Sequence, residues 1–238
     1  MHRRLLDPVQ HLMSPVPLRQ ALDRDRRHLS QRRHRLAQAE IDALADRWRE
    51  RTGGNGELLD LVDPGGEPRG VVSPRWLCHL FGLRHRSVHI LLRRIGPGGD
   101  VAILLQVRSA TKESYPGHVD TSVGGHVPAG MSPVEAALAE MTQELGLEAA
   151  HLDGGLDWIT DFESFNAFPD RGWFDREWVD LYTATLLPAA LEAVRFPDGE
   201  VAGLRLSSPA AALAILHNGR PPVAPGLDHA LHHALARL

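Results

Sequence analysis

A chain of 238 residues with 43% hydrophobic and 24% charged side chains has the material for a sizeable core and lacks the charge excess of a disordered polymer. A net charge of −4 disfavours nucleic acid as a partner, and no apolar run approaches the roughly 20 residues of a bilayer span, so neither nucleic acid nor a membrane is expected. The single cysteine, Cys78, excludes an intramolecular disulfide framework and a cysteine-rich zinc site, and fits a reducing, cytoplasmic location.

From Pro17 to Arg51 the pattern is helical and rich in arginine, with a second helix over Ala39 to Arg51 that Gly53-Gly54 stops. Residues 1–56 read as a helical extension whose two helices offer a surface for a homodimer contact, and 57–238 as the main domain. Glu57 to Asp63 alternates apolar and polar residues, meets Pro64-Gly65-Gly66 and resumes through Gly70-Val71-Val72, a β-hairpin. A short helix follows over Arg75 to Gly82. Ser87 to Arg93 and Val101 to Val107 make a second strand pair about Pro97-Gly98-Gly99. Downstream come a helix over Ser132 to Leu145, strands near Trp158 to Ser164, Glu177 to Thr185 and Val201 to Leu206, and two closing helices. Strands and helices alternate too irregularly for a doubly wound sheet, so the expected class is α/β of the α+β kind, a mixed sheet with flanking helices.

The stretch from Gly124 to Leu147 is a glycine-rich loop feeding a helix. Ser132 can cap that helix, Pro133 suits its first turn, Glu135 completes a capping box and Gly146 ends it. Glu140 and Glu144 lie four residues apart, with Gln143 beside them, and converge on one helical face. Their mutual repulsion would be relieved by a divalent cation, and hard carboxylate oxygens suit Mg²⁺ or Mn²⁺. Taken alone, the pair also reads as two solvated glutamates of an amphipathic helix. Leu138, Met141 and Leu145 can face the core.

In register from Gly125 to Leu147 this loop and helix resemble the Nudix box. Gly125, Glu140, Met141, Glu144, Gly146 and Leu147 agree with it, while Met131, Ala139 and Gln143 stand where the pattern has Glu, Arg and Glu. The resemblance implies the Nudix fold, a mixed sheet between helices, with Glu140 and Glu144 holding the cation that assists attack on phosphorus. Upstream, the run from Gln106 to His126 resembles a narrower branch, that of isopentenyl-diphosphate isomerase and related hydrolases. It places Arg108 and Lys112, the chain's only lysine, on a loop where two cations can clamp a diphosphate. The same branch implies metal ligands near His79, His85 and His126, and an acidic pair at Asp175 and Glu177. Imidazole with carboxylate would suit Mn²⁺ or Zn²⁺ better than Mg²⁺ alone. Gly124 stands where the isomerase has its catalytic cysteine, and Phe165 near its catalytic aromatic hydroxyl. Cys78, beside Trp76 and Leu77, reads as a packing residue.

The function expected from these residues is metal-dependent hydrolysis of a diphosphate linkage in a small nucleoside-, cofactor- or prenyl-diphosphate metabolite. Glu140, Glu144, His126 and Glu177 are the expected ligands of Mg²⁺ or Mn²⁺, Arg108 and Lys112 the substrate clamp. Glu144, then Glu177, then Glu163 are the candidate general bases. Two alternatives stand beside it: an isomerase, supported by the histidines and opposed by Gly124, and a non-catalytic binding module, supported by the three box substitutions. Tyr115, Trp158, Phe165 and Trp173 can line a pocket or pack in a core. His229, His232 and His233 have metal-compatible spacing with only Asp228 for company, and read as the surface of the last helix.

Overall fold

A computed structural model of the chain describes residues 4–5, 57–168 and 173–235. The helices expected between Pro17 and Arg51 lie outside the described residues. The chain divides into two compact units. The first comprises residues 1–86, 126–131 and 163–178, and the second residues 87–125, 132–162 and 179–238.

In the first unit, strand β1 (Arg4–Leu5) runs parallel to β3 (Pro68–Pro74), which pairs antiparallel with β2 (Leu58–Val62). This is the expected hairpin. Its turn is closed by Asp63, whose carboxylate accepts the amides of Gly65 and Glu67 at 2.7 and 3.1 Å. Helix α1 (Arg75–Phe81) follows and ends at Gly82, in the left-handed region at φ 62°. Leu59 and Leu61 of β2 pack with Trp76, Leu77, Cys78, Leu80 and Phe81 of α1 and with Leu83. Leu61 is in register with His85, the first residue of β4 (His85–Ile95).

The second unit is built on β4, β5 (Val101–Arg108), and β10 (Val201–Ser207), which pairs antiparallel with β5. The run Ile103 to Gln106 is buried without alternation, as expected of a strand covered on both faces. Short strands β6 (Val119–Asp120) and β7 (Val123–His126) pair with β5 and β4. The box helix is α2 (Pro133–Leu145). Strands β8 (Leu152–Phe168) and β9 (Trp173–Leu186) pair with each other and are far longer than the sequence suggested. Helices α3 (Ala190–Ala193), α4 (Pro209–Asn218) and α5 (Pro225–Leu235) complete the unit. Its core gathers Leu91, Ile103, Leu105, Ile159 and Leu181 from the strands with Ala212, Ile215, Leu227 and Leu231 from α4 and α5. The class is α+β, a mixed sheet with helices, as expected.

Helix α2 begins and ends where its sequence signals stand. Ser132 accepts the Glu135 amide, the Glu135 carboxylate accepts the Ser132 amide at 2.9 Å, and Gly146 closes the helix at φ 67°. Ala136, Ala137, Met141, Glu144 and Leu145 form its buried face. Leu138 is only half-buried. Gln143, three residues after Glu140, is exposed. Replacing Ser132 by Ala removes the cap and should cost about 1 kcal/mol. Urea unfolding should show a lower midpoint at unchanged slope, and an unchanged midpoint would deny the capping box a role in stability.

Candidate active site

The box helix brings one carboxylate almost wholly out of water. Glu144 is 1% exposed, and burial pushes its carboxyl pKa up, opposed by Lys112 and the Gly124 amide. Three donors meet it. Oε2 accepts from the Gly124 amide at 3.2 Å and from Gln106 Nε2 at 3.3 Å, and Oε1 accepts from Lys112 Nζ at 3.1 Å. Glu140, one turn earlier, is half-buried against Gly125, where an added Cβ would overlap its carboxylate. The glycine of the pattern lets the glutamate approach this closely, and a side chain there would make the carboxylate shift.

Lys112 is shared between carboxylates, binding Glu200 as well as Glu144. Arg108 is engaged in bracing its own loop. Its Nη1 donates to Asp120 at 2.9 Å, its Nε to the Ser114 carbonyl at 3.1 Å and its Nη2 to the Ser114 hydroxyl at 3.0 Å. The structure thus brings Lys112 to Glu144, while Arg108 meets an acid, Asp120, that the sequence reading passed over. Asp120 also accepts the Thr121 amide at 2.8 Å.

Gly124 has a neighbour, His89, that no local pattern announces. A Cβ there would lie 3.1 Å from His89 Cδ2, and the same ring presses against Gly226 on α5. Burial lowers the His89 pKa, with Asp120 opposing and Arg108 adding to the effect. The room beside Gly124 that a cysteine side chain would take is bounded by an imidazole. Cys78 offers no substitute, because it is wholly buried and burial pushes its thiol up to about 12.

In the first unit, His79 of α1, His85 of β4, His126 of β7 and Asp175 of β9 form a second group. One donor atom from each lies within 4.8 Å of the others. His79 Nε2 and His85 Nε2 are both 3.5 Å from Asp175 Oδ1. His126 reaches Glu177 Oε1 at 3.7 Å through Nε2 and Glu57 Oε2 at 3.6 Å through Nδ1. Burial drives His79 well below its usual pKa, helped by His126 and His85, and takes His85 to about 4. His85 Nδ1 lies 2.8 Å from the Leu83 carbonyl, an acceptor only, so Nδ1 carries the proton and Nε2 keeps its lone pair. That Nε2 is buried and meets no hydrogen-bond partner among the described residues. Neutral imidazoles converging with a carboxylate form a donor set that fits a divalent transition metal. The sequence reading put His126 and Glu177 foremost; the structure joins His79, His85 and Asp175 to His126.

The remaining expectations sort plainly. Glu163 is tied to Arg84 at 2.8 Å and to Arg176 at 2.6 Å on the first unit's surface. Phe165 and Trp158 are exposed, and Phe165 stacks on Phe174. His232 is 3.0 Å from Asp228, while His229 and His233 stack on Phe162, so the α5 histidines are not gathered into a metal group among the described residues.

A glycine loop folded onto a capped helix that buries a glutamate, together with a mixed sheet and flanking helices, is the combination that the sequence resemblance implied. The family model of the NUDIX domain matches residues 83–227, and the chain belongs to the Nudix hydrolase family. It is 33% identical to Nudix hydrolase 3 of Arabidopsis thaliana over 150 residues, 63% of this chain and 19% of that protein. It is 41% identical to an uncharacterized Nudix hydrolase of Streptomyces coelicolor over 90 residues, 38% of this chain and 47% of that one. The match therefore spans about a fifth of the first relative and about half of the second. Among solved structures, DR0079 of Deinococcus radiodurans superposes with a TM-score of 0.56 at 22% identity, covering 74% of this chain and 99% of that one, a likeness of fold. No described helix is long and apolar enough to cross a membrane.

The buried histidines carry a pH consequence. His85 has a folded pKa near 4, below the roughly 6.5 of an unfolded histidine, so the unfolded chain binds the extra proton first as pH falls. Its contribution is complete above about pH 6.5 and is lost progressively toward pH 4. Metal-free denaturation profiles should therefore fall across that window, less steeply in His85→Gln. Equal slopes in the two proteins would show that His85 is not held neutral by the fold.

Proposed function

We propose that the chain is a divalent-cation-dependent hydrolase that cleaves the diphosphate linkage of a small nucleoside-, cofactor- or prenyl-diphosphate metabolite. The observation that carries this reading is the buried carboxylate of Glu144, met by Lys112 and the Gly124 amide at the end of the glycine loop. In this reading Glu140 and Glu144 hold Mg²⁺ or Mn²⁺. The ion supplies charge neutralisation at the phosphoryl oxygens and acidifies an attacking water. Lys112 leaves the carboxylates for the substrate's diphosphate, and Arg108 keeps the loop in place beside it and shares the binding. Glu144 is the first choice of general base and Glu177 the second. His126 and Glu177, with His79, His85 and Asp175, serve a second cation for which their imidazoles select Mn²⁺ or Zn²⁺ over Mg²⁺.

An isomerase reading would need a thiol or another proton donor at position 124, where this chain has glycine facing His89. The hydrolase reading needs none.

The test is release of monophosphate or phosphate from a panel of nucleoside, cofactor and prenyl diphosphates with Mg²⁺ or Mn²⁺, with isomer analysis of the prenyl sample. Metal-dependent turnover is expected, with kcat lower by roughly a hundredfold or more in Glu144→Gln. Absence of turnover on every member by folded protein would overturn the hydrolase and favour a binding module.

A further inference from the structure

Gln106 is the polar member of the buried run Ile103 to Gln106 in β5, and it is 0% exposed. Its amide is only half satisfied. Nε2 donates to Glu144 Oε2 at 3.3 Å, but Oε1 is shut from solvent and accepts no hydrogen bond among the described residues. A buried polar atom left without a partner weighs against stability, whereas an apolar side chain of the same shape would not. Leu104 and Leu105 beside it show what packing alone selects in this strand. The reason for an amide at this position therefore lies in what its donor does.

That donor acts on one oxygen of one carboxylate. Oε2 of Glu144 receives both Gln106 Nε2 and the Gly124 amide, while Oε1 meets the Lys112 ammonium. A glutamate has three rotatable side-chain bonds, and one donor on each oxygen, the Gly124 amide and the flexible Lys112 ammonium, leaves its carboxylate able to turn. Two donors approaching Oε2 from different elements, β5 and the glycine loop, fix the plane of the group.

We propose that Gln106 is a positioning residue of the box site: it holds Glu144 Oε2 on the Gly124 amide, so that Oε1 is the oxygen presented to cations. The cation part of this rests on the reading of Glu144 as a metal ligand, and the hydrogen-bond part stands without it. Groups in this relation to a metal ligand change metal affinity about 10–100-fold when removed.

The test is Gln106→Met, which keeps the shape and removes both polar atoms, with Gln106→Leu as a second variant. The metal-free proteins are compared by Tm and by hydrogen exchange of the Gly124 amide, and Mn²⁺ alone is then titrated by electron paramagnetic resonance. Tm should stay level or rise, because an unpartnered buried oxygen is lost. Gly124 exchange should quicken about tenfold or more, and Mn²⁺ affinity should fall about tenfold. A stable variant with weakened Gly124 protection separates positioning from packing, since a packing residue would move Tm downward and leave Gly124 alone. Unchanged Gly124 exchange, a lowered Tm, or failure of both variants to fold would overturn the proposal. If the unsubstituted chain binds no Mn²⁺, the metal reading of Glu144 fails, while Gly124 exchange still decides the positioning role.

Discussion

A carboxylate removed from water has to be met by donors, and the second unit is arranged around meeting one. Glu144 is held on the buried face of α2 by Met141, Leu145 and Ala137, which face the interior with it. Burial pushes its carboxyl pKa up. The Gly124 amide, Gln106 and Lys112 favour its charged form, and each comes from a different part of the chain. The glycine loop has to lie close to the helix for this to happen, so that a side chain at Gly125 would displace the Glu140 carboxylate. The caps of α2 at Ser132 and Gly146 then set where along the helix the two glutamates fall.

The first unit solves a different problem. Three imidazoles lie with ring centroids 5.0 to 5.5 Å apart, and burial lowers the pKa of His79 well below its usual value and takes that of His85 to about 4. A neutral imidazole with its Nδ1 proton spent on a backbone carbonyl, as in His85, has a lone pair to give. Oxygen donors at α2 and nitrogen donors here make two chemically distinct binding opportunities in one chain, hard and borderline.

Local signals were legible in the sequence because they are spelled within a few residues. The capping box, Pro133, the closing Gly146 and the Glu140 to Glu144 spacing needed only the period of a helix, and the hairpin about Pro64-Gly65-Gly66 only its turn chemistry. What escaped was set by distance along the chain. His79 and His85 were indicated only through the branch resemblance, and their own neighbourhood in the sequence showed nothing of Asp175 and His126, which come from remote strands. Gln106 and Glu144, 38 residues apart, and Lys112 and Glu200, 88 apart, meet only through the pairing of β5 with β10 and the seating of α2. The extent of β8 and β9 was underestimated because their exposed faces carry charges and glycines that resemble loop composition.

The most direct measurement is a crystal structure grown with Mn²⁺ and read by anomalous scattering. The account predicts density within bonding distance of Glu144 Oε1, with Lys112 withdrawn from that oxygen. A fully ordered α2 with Lys112 still on Glu144 and no anomalous density beside it, in a crystal whose histidine group is loaded with Mn²⁺, would contradict it.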